Sequence, residues 1–391
     1  MREALEGSQA IARAVALAKP EVVAAYPITP QTHIVENISK LVADGVLHTE
    51  FVSVESEFSA ASVVLGAAAA GARAYTASAS QGILLMSEVM YNISGLRVPL
   101  VMTIANRAVG GPLNIWNDQS DTMAVRDSGW IQLHCISNQE AVDTTIQAFR
   151  IAQETDLPVA VNMDGFVLTH TMEVIDMPDQ EGVDSFLPPF EFAGKLDPSN
   201  PRSMGTLVDP NFFPEVRHSH HAAMAKAMPK IEEIDKAFKK VFGRASGGLL
   251  TVEGDKKAKV GILAMGSVVG TMMAGYETFK DEAGPARIIK LRAFRPFPAK
   301  AIRNAVKGLD SLIVIDRAIS PGMGGVLGTE VSAVLSTLDN PPKVFNYALG
   351  LGGRDIPVTM YRDLLKLTES KKAPRFAVLD ADLQKLPPED R

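Results

Sequence analysis

The chain has 391 residues, 46% hydrophobic and 21% charged, a composition that builds buried cores and excludes a disordered or fibrous polymer. Its net charge of −6 argues against nucleic acid or an acidic membrane as a partner. A single cysteine, Cys135, excludes an internal disulfide framework and any iron–sulfur cluster ligated by cysteines of this chain alone.

The N-terminal residues 1–6 lack the apolar core of a signal peptide, so the chain reads as cytoplasmic. Residues 8–17 form an expected helix with Ile11 and Val15 on one face, ended by Pro20. Strands are expected at 22–25, 51–54, 72–77, 100–104, 131–135 and 159–161. Helices fall between them at 32–42, 56–70, 83–94 and 139–153. The apolar run 60–72 is too short to span a bilayer, and its alanines and glycines suit a closely packed helix. Apolar strands alternating with helices imply a parallel sheet covered on both faces. The rhythm stops near residue 167. Eight prolines between Pro178 and Pro229 read as a long excursion, followed by a charged amphipathic helix at 231–241. A second α/β unit starts near Leu250, with strands at 260–265, 288–291, 312–315 and 344–349. Its helices are expected near 271–279, 299–306, 326–335 and 358–367. The expected domains are 1–166, an excursion 167–250 belonging to the first, and 251–391.

Several segments could carry chemistry. In Tyr26-Pro27-Ile28-Thr29-Pro30 two prolines stiffen the loop between a strand and a helix, holding a hydroxyl at a strand's carboxyl end. Equally, it could be only a rigid connector. Glu55-Ser56-Glu57 places Glu57 in a first helical turn, where the macrodipole favours an anion; plain helix-start chemistry is the alternative. Ser78-Ala79-Ser80-Gln81-Gly82 is a small polar turn. Arg107 follows a strand and could grip a carboxylate in a bidentate fork, or pair with Asp118 or Asp121 to hold its own loop. The glycine-rich segments 322–328 and 350–355 fail the dinucleotide pattern and read as tight turns. His218, His220 and His221 do not share one helix face and read as a solvated or interface cluster rather than a metal site.

Taken together these segments resemble the alpha subunit of the 2-oxoacid:ferredoxin oxidoreductase family, nearest its pyruvate-using type, along essentially the whole chain. The loop 26–30 resembles the family's substrate loop. Glu57 falls at the thiamine-pairing glutamate and Arg107 at the carboxylate-binding arginine. Asn114 to Gln119, then Arg126-Asp127-Ser128-Gly129-Trp130, look like the pyruvate-type version, and the segment 291–298 resembles the second domain's signature.

The resemblance implies two doubly wound parallel-sheet α/β domains. The first would be thiamine-diphosphate-binding-like, of the pyrimidine type, and the second transketolase C-terminal-like. It implies oxidative decarboxylation of a 2-oxoacid with coenzyme A, reducing ferredoxin. Glu57 would hold the cofactor's aminopyrimidine, while Thr29, Ile28 and Arg107 would bind substrate. Neither Met163-Asp164-Gly165 nor Glu253-Gly254-Asp255 fits the family's pyrophosphate motif. Thiamine diphosphate would therefore be shared with a beta subunit, and Mg²⁺ and [4Fe-4S] clusters would reside in that and other partners. Ferredoxin-like delta and gamma subunits would complete the assembly, with no metal in this chain. Another 2-oxoacid (2-oxoglutarate, a branched-chain acid, oxalate) and a non-catalytic scaffold role remain open alternatives.

Overall fold

A computed structural model describes residues 2–370 and 373–390. Strand β1 (Arg2–Glu6) comes first. Then β2 (Val22–Ala25), β3 (Glu50–Ser53), β4 (Ala74–Ser78), β5 (Val101–Asn106), β6 (Ile131–His134) and β7 (Val159–Asp164) alternate with helices, and β8 (Met172–Asp176) returns antiparallel to β1. The second half contributes β9 (Leu250–Gly254), β10 (Val260–Ala264), β11 (Arg287–Leu291), β12 (Ala293–Arg295) and β13 (Ser311–Asp316). The two-residue β14 (Ile319–Ser320) and β15 (Gly324–Gly325), then β16 (Lys343–Ala348) and β17 (Phe376–Val378), follow.

Two mainly parallel sheets result, ordered β12-β6-β7-β5-β4-β2-β3 and β17-β16-β13-β10-β11-β9. The parallel sheets expected from the sequence are corrected at one edge of each, because β12 runs antiparallel to β6 and β9 antiparallel to β11. Both sheets carry cores on two faces. In the first, one core joins the helices Gly7–Leu17 and Asn138–Thr155, and the other joins Glu57–Ala69 and Ser87–Gly95. The expected helix 83–94 is divided at Met86 into Ser80–Leu85 and Ser87–Gly95.

The proline-rich excursion holds more helix than its composition suggests. A 30-residue helix, Phe213–Phe242, has Pro214 in its first turn, where a missing N–H costs nothing, and passes through Pro229. An internal proline costs about 3 kcal/mol. Ile231, Ile234 and Phe238 lie fully buried in the first domain's core, and each contributes about 1.5–3 kcal/mol. Burial therefore outweighs the break, which local pattern alone could not reveal.

The glycine-rich segment 322–328 is a turn built around a carboxylate. Asp316 at the end of β13 accepts from Leu327 N and Gly328 N, both at 2.8 Å, and from Asn346 Nδ2 at 2.6 Å. A Cβ at Gly328 would lie 2.1 Å from Asn346 Cγ, so close packing requires the glycine.

Only Arg292 separates β11 in the second sheet from β12 in the first. Its buried guanidinium donates to Gly248 O, Thr144 Oγ1 and Gln147 Oε1 at 3.0–3.1 Å. The segment singled out at 291–298 is thus the crossing between the two sheets.

Candidate active site

In the first sheet the chain runs from β2 out to β3, then returns to β4 on the other side of β2. That reversal opens a crevice at the carboxyl ends of β2 and β4, where open α/β sheets bind ligands. The loop 26–30 borders it, as does the segment 78–82, read from the sequence as a turn but folded as the end of β4 running directly into the helix Ser80–Leu85; the start of the helix Glu57–Ala69 and the end of β5 lie nearby.

Ser56 caps that helix, accepting from Ser59 N at 3.2 Å, which makes Glu57 its first residue. Glu57 is only 7% exposed. Among the described residues no hydrogen bond or ion pair reaches its carboxylate. Gly82 lies directly against it: a Cβ there would fall 2.7 Å from Glu57 Cγ and Oε1, and 2.4 Å from Ser78 Oγ. The Ser78 hydroxyl is itself buried without a partner. A carboxylate and a hydroxyl thus converge over a glycine, both lacking protein partners.

Arg107 is 6% exposed. Its Nη1 donates to Thr29 O at 2.8 Å, its Nε to Asn114 O at 3.0 Å, and its Nη2 reaches Gln81 Oε1 at 3.5 Å. These acceptors are all neutral, and among the described residues no carboxylate pairs with the guanidinium. The alternative ion pair with Asp118 or Asp121 does not form; Asp121 takes the Arg107 backbone N–H instead, at 3.0 Å. Burial pushes the guanidinium pKa down, and the charge of Asp121 opposes this. Thr29 is exposed; its carbonyl holds Arg107, and its hydroxyl makes no hydrogen bond among the described residues. Half-buried Ile28 donates its N–H to Gln31 Oε1 at 3.2 Å, and Gln31 Nε2 donates to Ala77 O at 2.9 Å, tying the loop to β4. Thr29 O, Arg107 and Gln81 are therefore linked by hydrogen bonds, and Gly82, next in the chain, lies against Glu57 on the same wall of the crevice.

Asp121, named from the sequence only as a possible ion-pair partner of Arg107, holds this wall through backbone and amide donors instead. Asp121, fully buried, accepts from Ser80 N (3.0 Å), Arg107 N (3.0 Å), Asn106 Nδ2 (2.9 Å) and Thr122 N (2.7 Å). It fixes Ser80 in a left-handed conformation, φ +48°. Its place in a crowded polar loop was the only available signal. The second domain closes the loop 114–119 from outside. Arg317 donates to Gly350 O at 3.0 Å and to Asn117 Oδ1, and its carbonyl accepts from Gln119 N at 2.7 Å. Asn114 Nδ2 donates to Gly352 O at 3.1 Å. Asp164, in the Met163-Asp164-Gly165 segment, accepts from Ser267 N at 2.8 Å and faces Arg317 Nη1 at 3.9 Å, so it serves the domain junction. His218 and His221 are exposed, while His220 is buried with Nε2 3.3 Å from Gly129 O.

Burial raises the Asp121 carboxyl pKa from 3.8 to about 6, against its hydrogen bonds. A raised folded-state pKa means the folded chain binds the proton more tightly. Its stabilisation is therefore fully present below pH 3.8 and is lost as pH rises through about 6. Denaturant melts of wild type and Asp121→Asn at pH 4 to 7 should show wild type losing stability relative to the variant between pH 4 and 6, with the difference flat above.

Two family models match this architecture. Pyruvate flavodoxin/ferredoxin oxidoreductase, thiamine diphosphate-binding, covers residues 13–236, and pyruvate:ferredoxin oxidoreductase core domain II covers residues 258–360. The first domain is thus of a thiamine-diphosphate-binding family. Pyruvate synthase subunit PorA of Methanosarcina barkeri is 43% identical over 96% of this chain and 94% of its own length. The PorA subunit of Thermotoga maritima is 41% identical over 91% of each. Ketoisovalerate oxidoreductase subunit VorA of Pyrococcus abyssi is 36% identical over 96% of each. A solved 2-oxoglutarate:ferredoxin oxidoreductase from Magnetococcus marinus, with 2-oxoglutarate, coenzyme A and succinyl-CoA bound, has the same fold. Its TM-score is 0.73 at 20% identity; the match covers 93% of this chain and 65% of that one. The chain belongs to the pyruvate:ferredoxin oxidoreductase family, as a subunit of the pyruvate synthase PorA type. Among the described residues no helix is long and apolar enough to cross a membrane.

Proposed function

We propose that this chain supplies the alpha half of a composite site that oxidatively decarboxylates pyruvate. Coenzyme A would be consumed to give acetyl-CoA and CO₂, and electrons would pass to ferredoxin through [4Fe-4S] clusters of partner subunits. A beta subunit would bring the pyrophosphate and Mg²⁺ site and a cluster, a ferredoxin-like delta subunit further clusters, and a gamma subunit would complete the assembly. The 167–250 excursion is counted with the first domain, whose core it enters. The single observation that carries the reading is the buried Arg107 guanidinium with no carboxylate partner, on the same wall as the buried, unpartnered Glu57.

Thiamine diphosphate fits the residues present: the Glu57 carboxylate and the orphaned Ser78 hydroxyl are polar groups awaiting partners, and Gly82 leaves room beside them. When bound, the cofactor supplies carbanion chemistry at its thiazolium carbon. Glu57 would accept a hydrogen bond from the cofactor's aminopyrimidine ring and so orient it. Arg107 holds the substrate carboxylate, pre-aimed by Thr29 O and Asn114 O. The Thr29 hydroxyl donates to a substrate oxygen, and Ile28 presents apolar surface to the short side chain.

A charge-assisted hydrogen bond contributes about 1.5–3 kcal/mol. Arg107→Ala in the assembled complex should therefore raise KM for pyruvate by roughly 10- to 100-fold, taking about 1.4 kcal/mol per decade. Arg107→Lys should fall between, because it keeps the charge and loses the fork. Steady-state kinetics with pyruvate as the varied substrate decide this; an unchanged KM removes Arg107 from substrate binding. The VorA relative motivates a second reading, a branched-chain substrate. A panel of 2-oxoacids assayed by coenzyme-A-dependent viologen reduction separates the two, and pyruvate as the poorest substrate would reverse the choice.

A further inference from the structure

Three segments outside the site just described bring together Glu6 at the end of β1, His33 in the first turn of the helix Thr32–Ala43, and His170 in the loop after β7. One nitrogen of each imidazole and one Glu6 oxygen lie within 4.8 Å of one another. Among the described residues this is the one group of three or more such side chains placed to hold a metal ion. His33 Nδ1 is 2.8 Å from Glu6 Oε1, and the two imidazoles lie 4.6 Å apart between centroids. His170 Nδ1 is 2.7 Å from Thr169 Oγ1, a hydroxyl already fixed by accepting Phe166 N–H at 2.8 Å. With Nδ1 so engaged, Nε2 is the nitrogen left to bind, the arrangement in which a second hydrogen bond orients a ligating histidine. Phe166 packs on the His170 ring at 4.7 Å.

Helix capping explains part of this. Glu6 forms a capping box with Gln9, and its contact with His33 could be a simple ion pair. Capping does not account for a second imidazole brought in from a distant loop and oriented by its own threonine. All three residues are half-buried, open enough for an ion to enter.

We propose that Glu6, His33 and His170 form a binding site for a zinc-class divalent cation, with two imidazoles and a carboxylate as ligands and a further position open to water. Imidazole with carboxylate is a donor set that suits Zn²⁺. The ion would brace the crevice from behind. His33 lies four residues after Thr29, and Pro30 packs against Gly165 in the same segment as His170.

The test uses the purified full chain, stripped with EDTA and titrated with Zn²⁺ against a chromophoric chelator, then with Co²⁺ for visible ligand-field absorption. One site per chain is expected. The double variant His33→Gln/His170→Gln should bind at least about 100-fold more weakly, and Thr169→Ala about 10- to 100-fold more weakly. The variant His218→Gln/His221→Gln, which removes the exposed histidines of the long helix, should bind as wild type does. Thermal melts without metal establish that each variant is folded. Glu6→Gln, expected to weaken binding at least tenfold, replaces the double variant if that fails to fold. No binding by wild type, full retention in the ligand variants, or loss on removing His218 and His221 would overturn the site.

Discussion

Glu57→Gln is expected to lower pyruvate-dependent electron transfer by the assembled complex by about 100-fold or more, with subunit stoichiometry unchanged. Glutamine keeps the volume that Gly82 accommodates, so packing at the start of the helix Ser80–Leu85 should survive. It removes the one buried carboxylate on the crevice wall that has no protein partner. A positioned proton-holding group contributes typically 10²- to 10⁴-fold, and the lower end of that range sets the expectation. The assay is coenzyme-A-dependent ferredoxin reduction, read together with gel filtration of the complex. Activity within threefold of wild type, with assembly intact, would leave Glu57 as ordinary helix-start chemistry and favour a scaffold role for the chain.

Glu140→Ala should destabilise the chain by about 3–5 kcal/mol. Glu140 starts the helix Asn138–Thr155 of the first domain, and its Oε1 lies 3.0 Å from Lys290 Nζ and 3.8 Å from Arg292 Nε. Its other oxygen accepts from Ile136 N at 3.2 Å. Lys290 and Arg292 flank the crossing between the sheets, and both are buried. Removing the shared carboxylate strands two cations away from water, the costly way to break a buried pair. Replacing the whole set with apolar residues would cost far less, so the prediction concerns the unpaired charges and not the net worth of the bridge. Denaturant unfolding measures it, and a loss below 1 kcal/mol would mean that water reaches the cations. Glu140→Gln should be milder, since its amide oxygen still accepts from Lys290.

The candidate site divides unevenly between local and distant causes. Glu57 at a helix start, Thr29 in a proline-stiffened loop and Arg107 just past a strand are consequences of short stretches of chain, and all three were legible there. Their common wall was not, because it depends on Gln81 and Gly82 arriving from a different strand end. Asp121 was harder still. A carboxylate in a polar loop looks like any other until Ser80, Asn106 and Arg107 are seen pointing backbone and side-chain donors at it. His33 and His170 are 137 residues apart in sequence and adjacent only in space, so no local pattern joined them.

By itself the sequence determined the βα rhythm of both domains, the strand ends that bear the polar loops, and the residues resembling the family's alpha subunit. Those features follow from hydrophobic periodicity, proline and glycine placement, and motifs of a few residues, all of which act over one turn or one strand. Tertiary structure alone decided the antiparallel edges, the passage of a helix through Pro229, and the crossing at Arg292 by which the second domain completes the first sheet. The internal proline costs a helix hydrogen bond and the crossing buries a charge, whereas the antiparallel edges carry no such local cost and are set by where the chain returns. The proline and the buried charge are offset by apolar burial and ion pairing with residues distant in sequence, and no local pattern records those contacts.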